Sequence, residues 1–220
     1  MASNELVLLD HWVSPFAMRV RITLDEKGLP DESKHQNLQE KSPLLLQMNP
    51  IHKQVPVLIH NGKPINESLV VVQYIDEVWY DRSPLLPSDP YQRASMRFWA
   101  DYVDKKIYDT GKKIIVGKGE EVETAKHELI ASLRTLELEL GEKPYFAGHT
   151  FGYVDVSLIP FYSWFYLYEK IGKFNVELEC PKLVKWAKRC ILKESIFKNL
   201  PDQLKVYDYI VELKNAGKYK

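Results

Sequence analysis

Ser14 is the first residue in the chain whose type and position could support chemistry. The dipeptide Ser14-Pro15 predicts the start of a helix, because serine is favoured at the N-cap and proline at the first helical position. Free backbone N–H groups and the helix dipole favour an anion there, so the Ser14 hydroxyl could donate a hydrogen bond to a thiolate or carboxylate. The alternative interpretation is that Ser14 only caps the helix.

Glu67 and Ser68 form a second candidate site at the start of another predicted helix. A carboxylate, a hydroxyl and the N–H groups of a helix end can together hold an α-amino-acid group. Glu67 would bind the ammonium group, and Ser68 with the helix end would bind the carboxylate. Helix capping is again the alternative.

Val55-Pro56 and two lysines form a third candidate site. Proline at the start of an apolar strand is typical of an edge position or a cis-peptide turn, although most X–Pro bonds are trans. A cis turn would leave the N–H and C=O groups of Val55 free to pair with an extended peptide ligand. Lys41 and Lys53, in the preceding loop, could meet a carboxylate or could simply be solvated.

Other kinds of site are not supported. The six histidines are scattered without metal-ligand spacing, so no metal site is expected. Gly117-Lys118-Gly119 lacks the third glycine and the preceding strand of a dinucleotide-binding loop. Cys180 and Cys190 have no evident support as thiolate nucleophiles, and so few cysteines suit a reducing compartment, here the cytosol.

Composition predicts a globular protein without a nucleic-acid or membrane partner. The chain has 220 residues, is 45% hydrophobic and balances 30 basic against 30 acidic side chains. The positive excess of the stretch 182–220 is interpreted as a solvated helix face rather than a nucleic-acid patch. Residues 1–5 lack the features of a signal peptide. The apolar stretch 151–168 approaches the length of a membrane span, but Asp155 and Pro160 favour the central helix of a soluble bundle.

Two regions of different architecture are predicted. The first contains two strands at 5–9 and 33–38, a helix from Pro15 that Gly28 ends, a β-hairpin around Asn61-Gly62 from 54 to 65, and a helix at 67–79. Three prolines within 81–90 predict a linker. Beyond it, helices are predicted at 91–116, 121–141, 154–172, 181–190 and 202–216. The prediction is therefore an α/β domain at 1–80, a linker at 81–90 and an all-helical domain at 91–220.

Several segments together resemble the plant tau-class glutathione transferases. They are Trp12-Val-Ser14-Pro-Phe-Ala-Met-Arg-Val20, Lys41-Ser-Pro-Leu-Leu, Asn49-Pro-Ile-His-Lys53-Gln-Val-Pro56-Val-Leu-Ile-His-Asn-Gly62, Glu67-Ser68 with Gln73-Tyr-Ile-Asp76-Glu, and Phe146-Ala-Gly148 with Phe151-Gly-Tyr-Val-Asp155. Each motif alone is weak, whereas all of them in this order are specific, and they cover nearly the whole chain.

The resemblance implies a thioredoxin-like N-terminal domain, an all-helical C-terminal domain and a homodimer. It also implies that glutathione is the co-substrate and that Ser14 stabilises its thiolate. Lys41 and Lys53 would face the glycine carboxylate of glutathione, Val55 before a cis Pro56 would pair with the cysteinyl backbone, and Glu67 and Ser68 would hold the γ-glutamyl end.

The resemblance further implies a hydrophobic pocket to which Phe16, Tyr108 and Trp164 contribute. The expected reaction is conjugation of glutathione to small hydrophobic electrophiles in detoxification, with reduction of organic hydroperoxides as a second reaction. The alternative function is a non-catalytic carrier that binds hydrophobic plant metabolites between its domains. Gly152 stands where serine or threonine usually opens the central helix, and Asp155 is expected to accept the Gly152 N–H.

Overall fold

The computed structural model describes residues 5–219 and divides the chain into two compact units. One unit ends at Leu86 and the other begins at Pro87. The division falls within the proline-rich stretch 81–90, where a helix cannot continue because proline lacks the backbone N–H.

The first unit is a four-stranded mixed sheet with three helices. Its elements are β1 (Leu6–Asp10), α1 (Pro15–Glu26), β2 (Glu32–His35), α2 (Pro43–Met48), β3 (Val57–His60), β4 (Lys63–Asn66) and α3 (Ser68–Val78). The strand order is β2-β1-β3-β4; β1 is parallel to β2 and antiparallel to β3, and β3 is antiparallel to β4. The expected α/β architecture is confirmed.

Burial on both faces of the sheet explains why β1 is a continuous apolar run. Leu6 and Leu8 pack on one face with side chains from α1 and α3, whereas Val7 and Leu9 pack on the other with Leu45 of α2. Successive side chains of a strand point to opposite faces, so a strand covered on both sides has no polar alternation.

Two local signals act as predicted, and one element was missed. Asn61 and Gly62 have φ values of 50° and 77°, as a tight hairpin turn requires. Gly28, with φ 62°, follows the end of α1. Helix α2 was not predicted, although Ser42 caps it as Ser14 caps α1. Strand β2 covers Glu32–His35 rather than 33–38, because its polar residues carry little periodic signal.

The second unit is helical, as expected. Its helices are α4 (Pro90–Tyr102), α5 (Asp109–Val116), α6 (Glu120–Leu140), α7 (Tyr153–Leu158), α8 (Tyr162–Gly172), α9 (Val176–Glu179), α10 (Pro181–Ile191), α11 (Glu194–Phe197) and α12 (Gln203–Asn215). The short helices α9 and α11 were not predicted, since four residues are too few for a helical period to be recognised.

Two predicted helices are interrupted. The helix expected at 91–116 consists of α4 and α5 joined by a π-helical segment, Val103–Tyr108, after which the Thr110 hydroxyl donates to the Lys106 carbonyl. The helix expected at 154–172 is divided into α7 and α8 by a 3₁₀ turn at Ile159–Phe161, because Pro160 has no N–H for the α-helical ladder.

The apolar stretch 151–168 lies in the interior of the second unit. All of its side chains are buried except those of Tyr162 and Tyr166, which are half-buried. Asp155 accepts the Gly152 N–H at 2.9 Å, as predicted. Among residues 5–219, no helix combines the length and the apolar character needed to cross a bilayer.

Candidate functional site

The register of the sheet brings three of the predicted site segments to one edge. Leu9 of β1 pairs with Val57 of β3, which in turn pairs with Asn66 of β4. The segment after β1, the segment before β3 and the segment after β4 therefore leave the sheet at the same end. These segments carry Ser14, Val55-Pro56 and Glu67-Ser68.

Ser14 is the N-cap of α1 and is half-buried. Its Oγ accepts the N–H of Ala17 at 3.3 Å, and its own N–H donates to the His11 carbonyl at 2.9 Å. The capping interpretation is thus correct, and it is compatible with the chemical one. Accepting a hydrogen bond leaves the hydroxyl proton available, because a hydroxyl can accept and donate at once.

Val55 and Pro56 are joined by a cis peptide bond, the isomer that the resemblance implies. The two lysines before and after α2 are both exposed, Lys41 immediately before Ser42 and Lys53 two residues before Val55. Asn49 holds the loop that carries Lys53: its side chain donates to the Gln54 carbonyl at 3.0 Å, and its carbonyl accepts the Lys53 N–H at 2.9 Å.

Glu67 and Ser68 differ in environment although they are adjacent. Glu67 is exposed and makes no side-chain cap for α3, so the capping alternative is wrong for this residue. The imidazole of His52 lies near its carboxylate, with Nε2 3.7 Å from Oε1. Ser68 is buried, and its Oγ accepts a hydrogen bond from Nη1 of Arg19 at 3.1 Å.

Lys53 and Glu67 both have left-handed backbone conformations, with φ values of 55° and 68°. A residue other than glycine in this region costs roughly 1–3 kcal/mol and persists only where the surrounding structure imposes it. Such residues concentrate at ligand sites, and these two lie among the predicted site residues.

Arg19 is a buried partner of the candidate site residue Ser68 that sequence reasoning missed. It is fully buried in α1, and its guanidinium carbon lies 5.1 Å from the centre of the Phe16 ring as well as bonding Ser68. It therefore connects α1 to the start of α3. Its position between the core residues Met18 and Val20 was a signal, because an arginine in an apolar run needs a buried partner.

The three predicted pocket residues belong to different units. Phe16 is half-buried in the first turn of α1, whereas Tyr108 and Trp164 belong to the second unit. Tyr108 is the last residue of the π-helical segment, and burial, together with Asp109 and Asp104, raises the pKa of its hydroxyl. Trp164 is buried in α8, with its ring 6.3 Å from that of Tyr168.

The cysteines are not suited to nucleophilic chemistry. Cys180 directly precedes α10, a position that can favour a thiolate, but burial raises its pKa to about 12. Burial also raises the pKa of the Cys190 thiol far above its usual range. Within the described part of the chain, no three His, Cys, Asp or Glu side chains are grouped so that they could hold a metal ion.

Two family models match the chain. The model of the glutathione S-transferase N-terminal domain matches residues 4–77, and that of the glutathione S-transferase C-terminal domain matches residues 92–194. The chain is 60% identical to a probable glutathione S-transferase, parC, of Nicotiana tabacum, with 97% of both chains covered. It is 58% identical to glutathione S-transferase U19 of Arabidopsis thaliana, with 96% of this chain and 97% of the relative covered.

Solved structures of plant proteins agree with this similarity. The structure of rice GST1 in complex with glutathione superposes with a TM-score of 0.94 at 47% identity, covering 98% of this chain and 99% of the rice chain. The structure of a tau-class glutathione S-transferase from mango, Mangifera indica, superposes with a TM-score of 0.90 at 41% identity, covering 95% and 98%. With these matches over nearly its full length, the chain belongs to the glutathione S-transferase family and to the tau class within it.

Proposed function

We propose that this glutathione transferase is of the serine type and that Ser14 is its catalytic residue. In this proposal the neutral hydroxyl of Ser14 donates a hydrogen bond to the thiolate of bound glutathione and never becomes the nucleophile. The sulfur attacks an electrophilic carbon of the second substrate and forms the thioether. The electron pair displaced from that carbon departs with a leaving group, as chloride does from a chloronitrobenzene, or takes up a proton where the substrate is an activated double bond. The observation that carries the proposal is the position of Ser14 at the N-terminus of α1, at the sheet edge that also carries Val55 and Ser68.

The energies are of the right order for this role. A free thiol has a pKa near 8.5, so only a few per cent is thiolate at neutral pH. Lowering the pKa by about two units stabilises the anion by about 2.7 kcal/mol. One charge-assisted hydrogen bond and the first-turn N–H groups of a helix can supply this amount.

We further propose that the other site residues hold glutathione along its length. Val55 would pair through its backbone with the cysteinyl residue after the cis bond to Pro56. Glu67 and Ser68 would hold the γ-glutamyl end. The exposed ammonium groups of Lys41 and Lys53 would attract the glycine carboxylate.

Phe16, Tyr108 and Trp164 are proposed to contact a small hydrophobic electrophile. Serine at position 14 also argues against thiol-transfer reactions. Those reactions need a cysteine there, which would form a mixed disulfide with glutathione. Conjugation and the reduction of organic hydroperoxides are the reactions expected with serine. The names of the relatives favour a transferase over a non-catalytic carrier.

A second copy of this chain is the partner that we propose. Both units expose large apolar side chains: Ile51 and Tyr80 in the first unit are 82% and 77% exposed, and Tyr91 and Phe98 of α4 are 82% and 59% exposed. Tyr91 and Phe98 are seven residues apart and therefore lie on the same face of α4, and contiguous exposed apolar surface is typical of an oligomer interface. Sedimentation should give the mass of a dimer; a monomer at micromolar concentration would contradict it.

The cytosol is the proposed compartment. Cys180 and Cys190 are both free and buried, and the fold has no disulfide within the described residues. Proteins of a reducing compartment have this pattern.

The catalytic role of Ser14 can be tested against a matched cap. Ser42 also precedes a proline and accepts the N–H of the third following residue, so Ser42→Ala removes the same kind of cap from α2. Ser14→Ala should raise the pKa of the bound glutathione thiol by about two units and lower kcat far more than glutathione affinity. Ser42→Ala should leave that pKa unchanged.

Thiolate absorbance measured against pH, and conjugation of a chloronitrobenzene, provide the two readouts. An unchanged thiol pKa in Ser14→Ala would exclude the proposed role. Tight binding of hydrophobic ligands with negligible conjugation by the wild-type protein would instead support the carrier.

A further inference from the structure

An ion pair closes the turn that carries Ser14. Nη1 of Arg21 lies 2.6 Å from both carboxylate oxygens of Asp10, and Nη2 donates to the Trp12 carbonyl at 3.2 Å. Arg21 lies in α1 and Asp10 at the end of β1, so the guanidinium reaches back from the helix to the beginning of its own preceding loop. We propose that Arg21 is a positioning residue. By binding the Asp10 carboxylate and the Trp12 carbonyl, it fixes the position of the Ser14 hydroxyl.

The hydrogen bonds of the turn connect the Arg21 contacts with Asp10 and Trp12 to Ser14. The Ser14 N–H donates to the His11 carbonyl at 2.9 Å, and the Ser14 carbonyl accepts the Met18 N–H at 3.0 Å. Ser14 is thus tied to the loop on one side and to the helix on the other. Arg21 joins the same two elements through Asp10 and Trp12, so it limits how far the loop can move relative to the first turn of α1.

The carboxylate of Asp10 requires this partner. Its side chain is fully buried, whereas that of Arg21 is 15% exposed. A buried carboxylate without a cation is strongly destabilised. The imidazole of His35 also lies near this carboxylate, with Nδ1 3.7 Å from Oδ2 of Asp10, and its side chain is 69% exposed.

The guanidinium is the feature that lysine cannot reproduce. Its planar fork bonds both Asp10 oxygens through one nitrogen and the Trp12 carbonyl through another. An ammonium group could neutralise Asp10 but would not hold the carboxylate and the carbonyl in the same geometry. Arg21→Lys therefore keeps the charge and loosens the turn.

Burial also disfavours positive charge at His11, which lies next to Asp10. Desolvation lowers the pKa of His11, although the Asp10 carboxylate acts in the opposite direction. Arg21 is the cation that faces Asp10 from α1, and His35 faces it from β2. Of these groups the arginine is the one that carries a permanent positive charge.

A purely structural ion pair is the competing explanation, and the thiol of bound glutathione distinguishes the two. This inference rests on the proposed function of Ser14, so Ser14→Ala serves as the comparator. The test variants are Arg21→Lys and the neutral pair Asp10→Asn with Arg21→Gln, in which no buried charge is left alone. Arg134→Lys is the control, because Arg134 pairs with Glu179 in the second unit.

The measurements are thermal unfolding, the pKa of the bound thiol, and kcat and KM against pH. We expect both Arg21 variants to raise the thiol pKa by about one unit, which should lower kcat about threefold at pH 7 and leave it nearly unchanged at higher pH, where the thiol is ionised in every variant. KM for glutathione should change less than about threefold, because the residues proposed to bind it are untouched. Arg134→Lys should change neither the thiol pKa nor the pH profile.

The proposed role of Arg21 and the proposed role of Ser14 would be contradicted by different results. A raised thiol pKa in Ser14→Ala but not in the Arg21 variants would overturn the positioning role alone, and so would a loss of thermal stability with an unchanged pH profile. A wild-type protein that does not lower the thiol pKa would overturn the role of Ser14 and the inference with it. If Arg21→Lys does not fold, the thiol pKa and the pH profile of the double variant Asp10→Asn with Arg21→Gln test the same role.

Discussion

The guanidinium of Arg19 donates to the hydroxyl of Ser68, with Nη1 and Oγ 3.1 Å apart, and both side chains are buried. The bond joins α1, which begins after Ser14, to the first residue of α3. The two helix starts that carry the proposed glutathione contacts are therefore held together by a side chain from the core.

Replacing Ser68 by alanine should weaken glutathione binding more than it slows conjugation. The variant loses one proposed ligand contact and leaves a buried Arg19 donor with one acceptor fewer, at a cost of roughly 1–3 kcal/mol in stability. Steady-state kinetics should show KM for glutathione rising more than kcat falls. Ser132→Ala is the control, because Ser132 is also buried but bonds only the Glu128 carbonyl of its own helix; equal effects of the two would contradict the proposal.

Removing one partner of the buried pair Lys27 and Asp76 should strongly destabilise the first unit. Nζ of Lys27 lies 2.5 Å from Asp76, and the same carboxylate accepts the N–H groups of Leu85 and Leu86 at 2.8 and 3.1 Å. Asp76→Ala should destabilise the protein by roughly 3–5 kcal/mol, because it leaves a buried ammonium unpaired. Urea unfolding measures this loss, and Glu77→Ala, an exposed neighbour, should change the midpoint little.

Asp155→Ala should impair folding rather than chemistry. The carboxylate accepts the N–H groups of Gly152 and Phe146 and the indole N–H of Trp186, at 2.9, 3.2 and 2.7 Å. Alanine leaves these three donors buried without that acceptor, at roughly 1–3 kcal/mol each. Thermal unfolding should show a large fall in Tm while the thiol pKa of bound glutathione stays the same. An unchanged Tm would refute the prediction.

Asp155 should also make stability depend on pH. Burial raises the pKa of its carboxyl to about 7 from a usual value of 3.8, so the folded chain binds this proton more tightly than the unfolded chain. The resulting stabilisation is complete below about pH 4 and is lost as the pH rises through about 7. Asp155→Asn cannot titrate, so its deficit in unfolding free energy should narrow between about pH 5 and pH 8. A constant difference across that range would show that the carboxyl is already ionised at the lower pH.

Gly111 should be intolerant of a side chain because of Tyr168. A Cβ at position 111 would lie 2.5 Å from both Cζ and the hydroxyl oxygen of Tyr168, whose ring is buried. Gly111→Ala should cost roughly 1–3 kcal/mol. In a Tyr168→Leu background the same substitution should cost less, since the ring has been removed. A double-mutant cycle measures the difference, and additive effects would contradict the contact.

The sequence by itself determined the elements that depend on short-range chemistry. Ser14-Pro15 predicted the start of α1, Asn61-Gly62 predicted the hairpin, and the prolines of 81–90 predicted a break between two architectures. These signals act over a few residues, because a cap, a positive φ or a missing N–H is a property of the local backbone. The identities of Ser14, Val55 and Ser68 as candidates came from the same kind of signal and from the family resemblance.

Only the tertiary structure decided which buried polar groups meet. Arg19 with Ser68, Lys27 with Asp76 and Asp155 with Trp186 are separated by 49, 49 and 31 residues. A buried charge needs a partner, but the partner is chosen by sheet register and helix packing, which no local pattern encodes. The π-helical segment Val103–Tyr108, which interrupts the long predicted helix, was likewise visible only in the tertiary structure. Because burying one of these polar groups without its partner would cost several kcal/mol, the fold admits only the arrangement in which the distant partners meet.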